Sequence, residues 1–195
     1  MRAIVSVGLA IVLVGCRNDA PAERTSTVAA TSTVASVLPV AGSTTPIGSM
    51  PPDSLRDDLV EYGLRVPEQS REAVIALLGR PDSVRSVAEV NRHDPALTDS
   101  LVVLYYPGLR LDYLVAGGKD LLQVADVSDN RYLKYPTIGV GASAANIINA
   151  LGPPWERSDS TYSYDCGRCI GADEPVIFHL EGGRVTNVEY QFYVD

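Results

Sequence analysis

An internal repeat limits what this chain can fold into more than any other feature. Ser70-Arg71-Glu72-Ala73-Val74-Ile75-Ala76-Leu77-Leu78-Gly79-Arg80-Pro81 aligns without a gap on Ser143-Ala144-Ala145-Asn146-Ile147-Ile148-Asn149-Ala150-Leu151-Gly152-Pro153-Pro154, with five positions identical. In each copy Ser stands at the N-cap, apolar residues recur at helical spacing, Gly sits just past the end, and Pro two residues later forbids continuation. The spacing predicts that each of two similar halves opens with a short amphipathic helix.

Strands follow each helix. In the first half, Leu101 to Tyr106 is joined by a tight Pro107-Gly108 turn to Leu109 to Val115, where Leu109, Leu111, Tyr113 and Val115 alternate as a half-buried strand does. Gly117-Gly118-Lys119 then turns the chain into Leu121 to Val127. The second half matches: Thr161 to Asp165, an alternating Val176, Phe178 and Leu180, a Gly182-Gly183-Arg184 turn, and Val185 to Val194. The repeat unit therefore reads as a helix followed by an antiparallel three-stranded meander. A single helix on three strands buries little, so two such units are expected to share a core in a two-layer α+β fold. The expected organisation is a signal segment at 1–15, a linker at 16–52, a first helix-meander repeat at 53–130 and a second at 131–195.

The N-terminal fifteen residues have the form of a signal peptide. Arg2 supplies a positive n-region and Ala3 to Val14 an apolar core in the expected range of about 7–15 residues, well short of the roughly 20 needed to span a bilayer. Leu13-Val14-Gly15-Cys16 looks like a bacterial lipobox, which makes Cys16 the expected site of lipid attachment and places everything after it on a membrane tether outside the cytoplasm. From Arg17 to Pro52 the composition shifts to Ser, Thr, Ala and Pro, without a period of 2 or 3.6. Such a segment reads as a disordered tether. Its 36 residues reach about 30–36 Å at about 5–6 Å × √n.

Composition excludes several functions. A formal net charge of −8 gives no electrostatic footprint for nucleic acid. Of the three cysteines, one goes to lipid and Cys166 and Cys169 remain as a pair, consistent with an oxidising compartment. In thioredoxin-like proteins a CxxC precedes a helix whose N-terminus lowers the thiol pKa. Here the next element reads as a strand, and the internal alignment puts the pair where the first half has its Pro107-Gly108 turn. An enlarged hairpin loop stapled by a disulfide is the expected reading, with a redox-active pair as the alternative. Zinc needs a second CxxC or two spaced histidines, and only His93 and His179 exist. His93-Asp94 belongs to a polar loop, with no G-x-S-x-G elbow elsewhere. Asp126, Asp129 and Asn130 lack the glycine and distal glutamate of an EF-hand and read as a turn between the halves. No metal or other cofactor is expected.

Tyrosine is in excess, ten against two Phe. Its ring packs while its hydroxyl meets water or a partner, which suits binding hot spots. Tyr162 and Tyr164 share one strand face, as do Tyr190 and Phe192, and either pair can line an exposed sheet surface or belong to the core. Tyr132 and Tyr135, between the halves, are placed to pack at their junction.

Ile138-Gly139-Val140-Gly141-Ala142-Ser143, the helix ending Leu151-Gly152-Pro153-Pro154, the strand Tyr162-Ser163-Tyr164 and the hairpin from Phe178 to Val188 resemble the SmpA/OmlA lipoprotein family, which includes a small subunit of the machinery that assembles outer-membrane β-barrels. The duplication also resembles the β-lactamase-inhibitor-protein architecture, in which two such units present a concave sheet to a hydrolase. The resemblance covers most of Leu64 to Asp195. The resemblance implies fold more than function. The absence of catalytic sets, together with the tether and the duplicated binding-type fold, leads to the expectation of a non-enzymatic envelope lipoprotein, held to the outer membrane by its lipid, that binds an envelope protein partner. The alternatives are an inhibitor of a secreted hydrolase and a thiol oxidoreductase acting through Cys166 and Cys169.

Overall fold

A computed structural model describes residues 50–66, 70–169 and 174–192. Cys16, the signal segment and the tether up to residue 49 lie outside the described residues. Helix α1 (Pro52–Tyr62) comes first, then α2 (Arg71–Leu78), the strands β1 (Ser83–Val90), β2 (Thr98–Tyr106), β3 (Leu109–Ala116) and β4 (Lys119–Val127), then α3 (Ala144–Leu151) and the strands β5 (Glu156–Arg157), β6 (Thr161–Tyr164), β7 (Val176–Glu181) and β8 (Arg184–Gln191).

The eight strands form one sheet in the order β1-β2-β3-β4-β8-β7-β6-β5, antiparallel throughout. This overturns the expected pair of helix-plus-three-strand units. Each repeated helix is followed by four strands, and all of them join a single sheet through β4 and β8, which pair from Val124–Val127 to Val188–Gln191. The strands that were missed are the outermost ones. All residues of β1 and β5 are exposed, so neither carries the burial alternation by which a strand is read. Helix α1 was also missed. Pro52 at its first turn and Leu55 and Leu59 four apart are its start signal and its buried stripe.

The two repeated helices are closed in the same way. Ser70 Oγ accepts from Ala73 N (3.3 Å) and Ser143 Oγ from Asn146 N (3.2 Å), satisfying one free N–H at each helix start. At the other end Gly79 and Gly152 adopt φ of +83° and +80°, where a side chain is strained. Their carbonyls accept from the hydroxyls of Tyr106 (3.0 Å) and Tyr164 (3.1 Å), the last residues of β2 and β6. Each helix is thereby fixed to the strand two elements further along the chain.

All three helices lie on the same face of the sheet. Tyr106, Tyr164 and Tyr190 point to that face, as does Asp120, which accepts from the backbone N (2.9 Å) and Nε (2.9 Å) of Arg71 at the start of α2. The core between the layers is built on Leu104, Leu111, Tyr113, Val127, Ile147, Tyr164, Phe178, Val188 and Tyr190. The segment between β4 and α3 is bound to α1 and the residues after it. Leu64 bridges Leu133, Arg65 N donates to Tyr132 O (2.8 Å), and Lys134 N donates to Gly63 O (2.8 Å). Tyr132 and Tyr135 are buried there, and the Tyr135 hydroxyl and Lys134 Nζ both donate to Asp58 of α1.

Candidate functional site

Of the two places left open for the tyrosine pairs, an exposed sheet surface or the core, Tyr162, Tyr164 and Tyr190 occupy the core. Tyr162 is buried, Tyr164 is 0% and Tyr190 2% accessible, and Phe192 packs against the same core. The positions of Tyr162 and Tyr164 in β6 and of Tyr190 in β8 have the parity that faces the helices. Tyr164 meets Phe178 edge to face at 5.7 Å and spends its hydroxyl on Gly152, and burial pushes that hydroxyl up to about 12. The residues of opposite parity form the free surface, and among the described residues tyrosine contributes only Tyr105 to it.

That open face has two neighbouring regions. The strand register sets Val87 beside Leu101, Leu101 beside Leu114 and Leu114 beside Leu121, an aliphatic row across β1 to β4. The β1–β2 loop stands at its end. Asn91 Oδ1 accepts from His93 N and Asp94 N, both at 2.8 Å, while Asn91 Nδ2 donates to Asp99 Oδ2 (2.7 Å). The side-chain turn at Asn91 therefore holds the loop to the buried carboxylate of Asp99. Together the loop and the leucines enclose a groove of about 440 Å³, lined by Leu101, Leu114, Leu121, Asp99, Arg92 and His93 among others.

Beyond the leucines the face turns acidic, where the halves join. Arg110 on β3, Asp126 on β4 and Glu189 on β8 lie in one row, with Asp112 two residues along β3, diagonal to Asp126, where Arg110 Nε donates to its Oδ1 at 3.0 Å. Asn187 Nδ2 donates to Asp126 Oδ1 (3.0 Å), Gln191 Nε2 donates to Glu189 Oε1 (2.6 Å), and His179 Nε2 lies 3.1 Å from Glu189 Oε2. Burial raises Asp112 above the ordinary carboxylate range. Arg110 opposes that rise, and the charges of Asp126 and Glu189 add to it. These side chains are positioned to present negative charge and hydrogen-bond acceptors. Among the described residues, no cluster of His, Cys, Asp and Glu is arranged to hold a metal.

Sequence reasoning did not find this face, although one signal was available. In β2 both parities are apolar, with Val102, Leu104 and Tyr106 on one side and Leu101 and Val103 on the other. A strand with two apolar sides has a second surface to account for.

Cys166 and Cys169 are disulfide-bonded in the loop between β6 and β7. The loop is docked on α1: Asp57 accepts from Gly167 N (3.2 Å) and from Arg168 Nε, and Arg168 also reaches Ser54 Oγ (3.3 Å). Cys166 is buried against the core, and the next described element after the pair is β7. The other residues singled out by sequence have structural partners. Asp129 Oδ1 accepts from Arg131 N (2.9 Å), and Asn130 exchanges hydrogen bonds with both backbone groups of Val140 (2.9 and 2.8 Å). His93 is exposed in the β1–β2 loop.

No known protein family matches the chain, and no curated protein matches it. Among solved structures, an extracellular protein containing an SCP domain from Bacillus anthracis str. Ames is similar over 65% of this chain, with 11% identity and a TM-score of 0.39. The matched region is 44% of that protein, so the chain spans less than half its length. Among the described residues no helix is long and apolar enough to cross a membrane.

Proposed function

We propose that this chain is a non-enzymatic bacterial envelope lipoprotein, anchored through Cys16 and acting as a protein-binding or assembly module. The observation that carries this reading is the open face of the sheet, where an aliphatic row and its groove adjoin an acidic stripe while all three helices cover the opposite side. A partner fitted to that face presents apolar side chains to Leu101, Leu114 and Leu121 and basic ones to Asp112, Asp126 and Glu189. The lipobox-like run before Cys16 and the resemblance of the second half to SmpA/OmlA lipoproteins support the envelope location. The Cys166–Cys169 disulfide is in keeping with an oxidising compartment. Thiol chemistry is supported less well, because the next described element after the pair is the strand β7 rather than the helix that follows a redox-active CxxC.

Site-specific photocrosslinking in living cells tests the proposal. A probe at Leu114 is expected to trap one envelope protein, and Leu121→Asp should abolish that adduct. A control probe at Glu72, exposed on α2, should trap none. The absence of any Leu114 adduct, or equal labelling from Glu72, defeats the reading. If purified protein abolishes the activity of a secreted hydrolase on titration, the partner is that hydrolase.

A further inference from the structure

The two edges of the sheet are treated differently. One ends in β5, only two residues long, a short edge that offers little to pair with. The other ends in β1, eight residues with no proline, no lysine and, among the described residues, no strand on its outer side. Three of its side chains are exposed valines, Val84 at 57%, Val87 at 46% and Val90 at 62%. A long edge carrying exposed apolar side chains is a template for another strand.

The sequence of β1 specifies which strand. Asn91 N donates to Leu97 O (3.1 Å) in continuation of the β1–β2 register, so the odd-numbered residues of β1 turn their backbone groups toward β2. Val84, Ser86, Ala88 and Val90 therefore direct theirs outward. A second β1 laid antiparallel about a two-fold axis at Val87 meets these groups with its own: Val84 faces Val90 and Ser86 faces Ala88, each pair occurring twice by symmetry. In the same register Val87 faces Val87, and Arg85 faces Glu89 on both sides of the axis.

Slipping the pairing by two residues destroys this match. Arg85 then faces Val87 or Asn91, and Glu89 faces Ser83 or Val87. Neither Arg85 nor Glu89 has an ion pair within its own chain among the described residues, and Glu89 lies directly opposite Asp99, a like charge that an incoming arginine offsets. We propose that β1 is a homodimerisation edge: two copies of this chain pair antiparallel about Val87, with reciprocal Arg85–Glu89 contacts, into one continuous sheet. The two-fold axis runs perpendicular to the sheet, so both open faces lie on the same side. Lipid anchoring would raise the local concentration at which the copies meet. This proposal concerns the edge and does not depend on what binds the open face.

Single cysteines in the full chain, expressed in its own envelope and oxidised there, test the register. Val87→Cys is expected to give a disulfide-linked dimer that reductant dissolves, whereas Ser86→Cys and Ala88→Cys, which face different residues across the axis, give little more than the unsubstituted chain. In the Val87→Cys background, Arg85→Glu opposes a carboxylate to Glu89 twice and should cut the dimer yield roughly fivefold or more, by about 0.5–1 kcal/mol at each contact. Adding Glu89→Arg to it should restore the yield to within about twofold, since the same pairs are then attractive with reversed sign. These side chains are exposed, so the variants leave the core intact, and equal resistance to proteolysis confirms it. Equal linkage from residues 86, 87 and 88, no linkage from 87, linkage to a different protein, or failure of the charge swap to restore the yield would each overturn the proposal.

Discussion

Asp57 is the joint between α1 and the disulfide loop, and its removal has a calculable effect. The side chain is 10% accessible and accepts from Gly167 N and Arg168 Nε, while Arg56 Nε, which is buried and has no hydrogen-bond partner among the described residues, lies 3.9 Å away. Asp57→Ala leaves the Gly167 N–H without its charged acceptor, a loss of about 1.5–3 kcal/mol. The Arg168 contact adds at most about 1 kcal/mol, because that side chain is 68% accessible and its charge is screened by water. The expected total is about 1.5–4 kcal/mol, or a fall in Tm of about 3–16 °C at this chain length. Arg168→Ala should cost no more than about 1 kcal/mol.

Urea unfolding followed by far-UV circular dichroism measures both variants. After reduction of Cys166–Cys169 the penalty of Asp57→Ala should shrink, since a loosened loop no longer holds Gly167 against the helix; the two perturbations are coupled. A cost of Asp57→Ala below about 0.5 kcal/mol refutes the reasoning. So does an equal cost for Arg168→Ala, which would locate the stabilisation in the exposed ion pair.

Three further outcomes follow from the same structure. Asp112 is raised by burial, so the native state takes up its proton at a higher pH than the unfolded chain, and stability relative to Asp112→Asn should increase as pH is lowered toward the ordinary carboxylate range; a flat or opposite difference between the two urea titrations refutes this. Gly108→Ala should cost clearly more than Gly117→Ala. Both residues have positive φ, worth about 1–2 kcal/mol, but a Cβ at Gly108 would come within 2.4 Å of Asp129 Cβ while one at Gly117 meets open space; equal denaturation midpoints would show that Asp129 yields freely. Tyr164→Phe should lose about 1 kcal/mol with the bond to Gly152, whereas Tyr190→Phe, whose buried hydroxyl has no hydrogen-bond partner among the described residues, should be neutral or stabilising; thermal melting of the pair decides it.

The candidate site was illegible in sequence for a specific reason. Alternation in Tyr162 and Tyr164 shows that they share a face, but the same pattern describes a wet face and a covered one. The hydroxyl of Tyr164 is satisfied by the carbonyl of Gly152, twelve residues away, and no local pattern announces that bond. The acidic stripe brings Asp112 and Asp126 from one half beside Glu189 from the other, and only the pairing of β4 with β8 makes them neighbours. Edge strand β1 was missed because an edge need not bury either face, and its alternation is accordingly weak.

By itself the sequence determined the local elements whose causes are local. Ser70 and Ser143 start two helices, Gly79 and Gly152 end them, the glycine pairs at 117–118 and 182–183 turn hairpins, and Cys166 and Cys169 are close enough in the chain to bridge. Capping, positive φ and short-range closure act within a few residues, so residue type is enough to show them. The tertiary structure alone decided that the two halves merge into one eight-stranded sheet, that three helices cover one face, and that leucines and carboxylates hold the other. Those outcomes depend on the apolar surface that distant segments bury against each other, and a period of two assigns side chains to faces without saying which face that surface will cover.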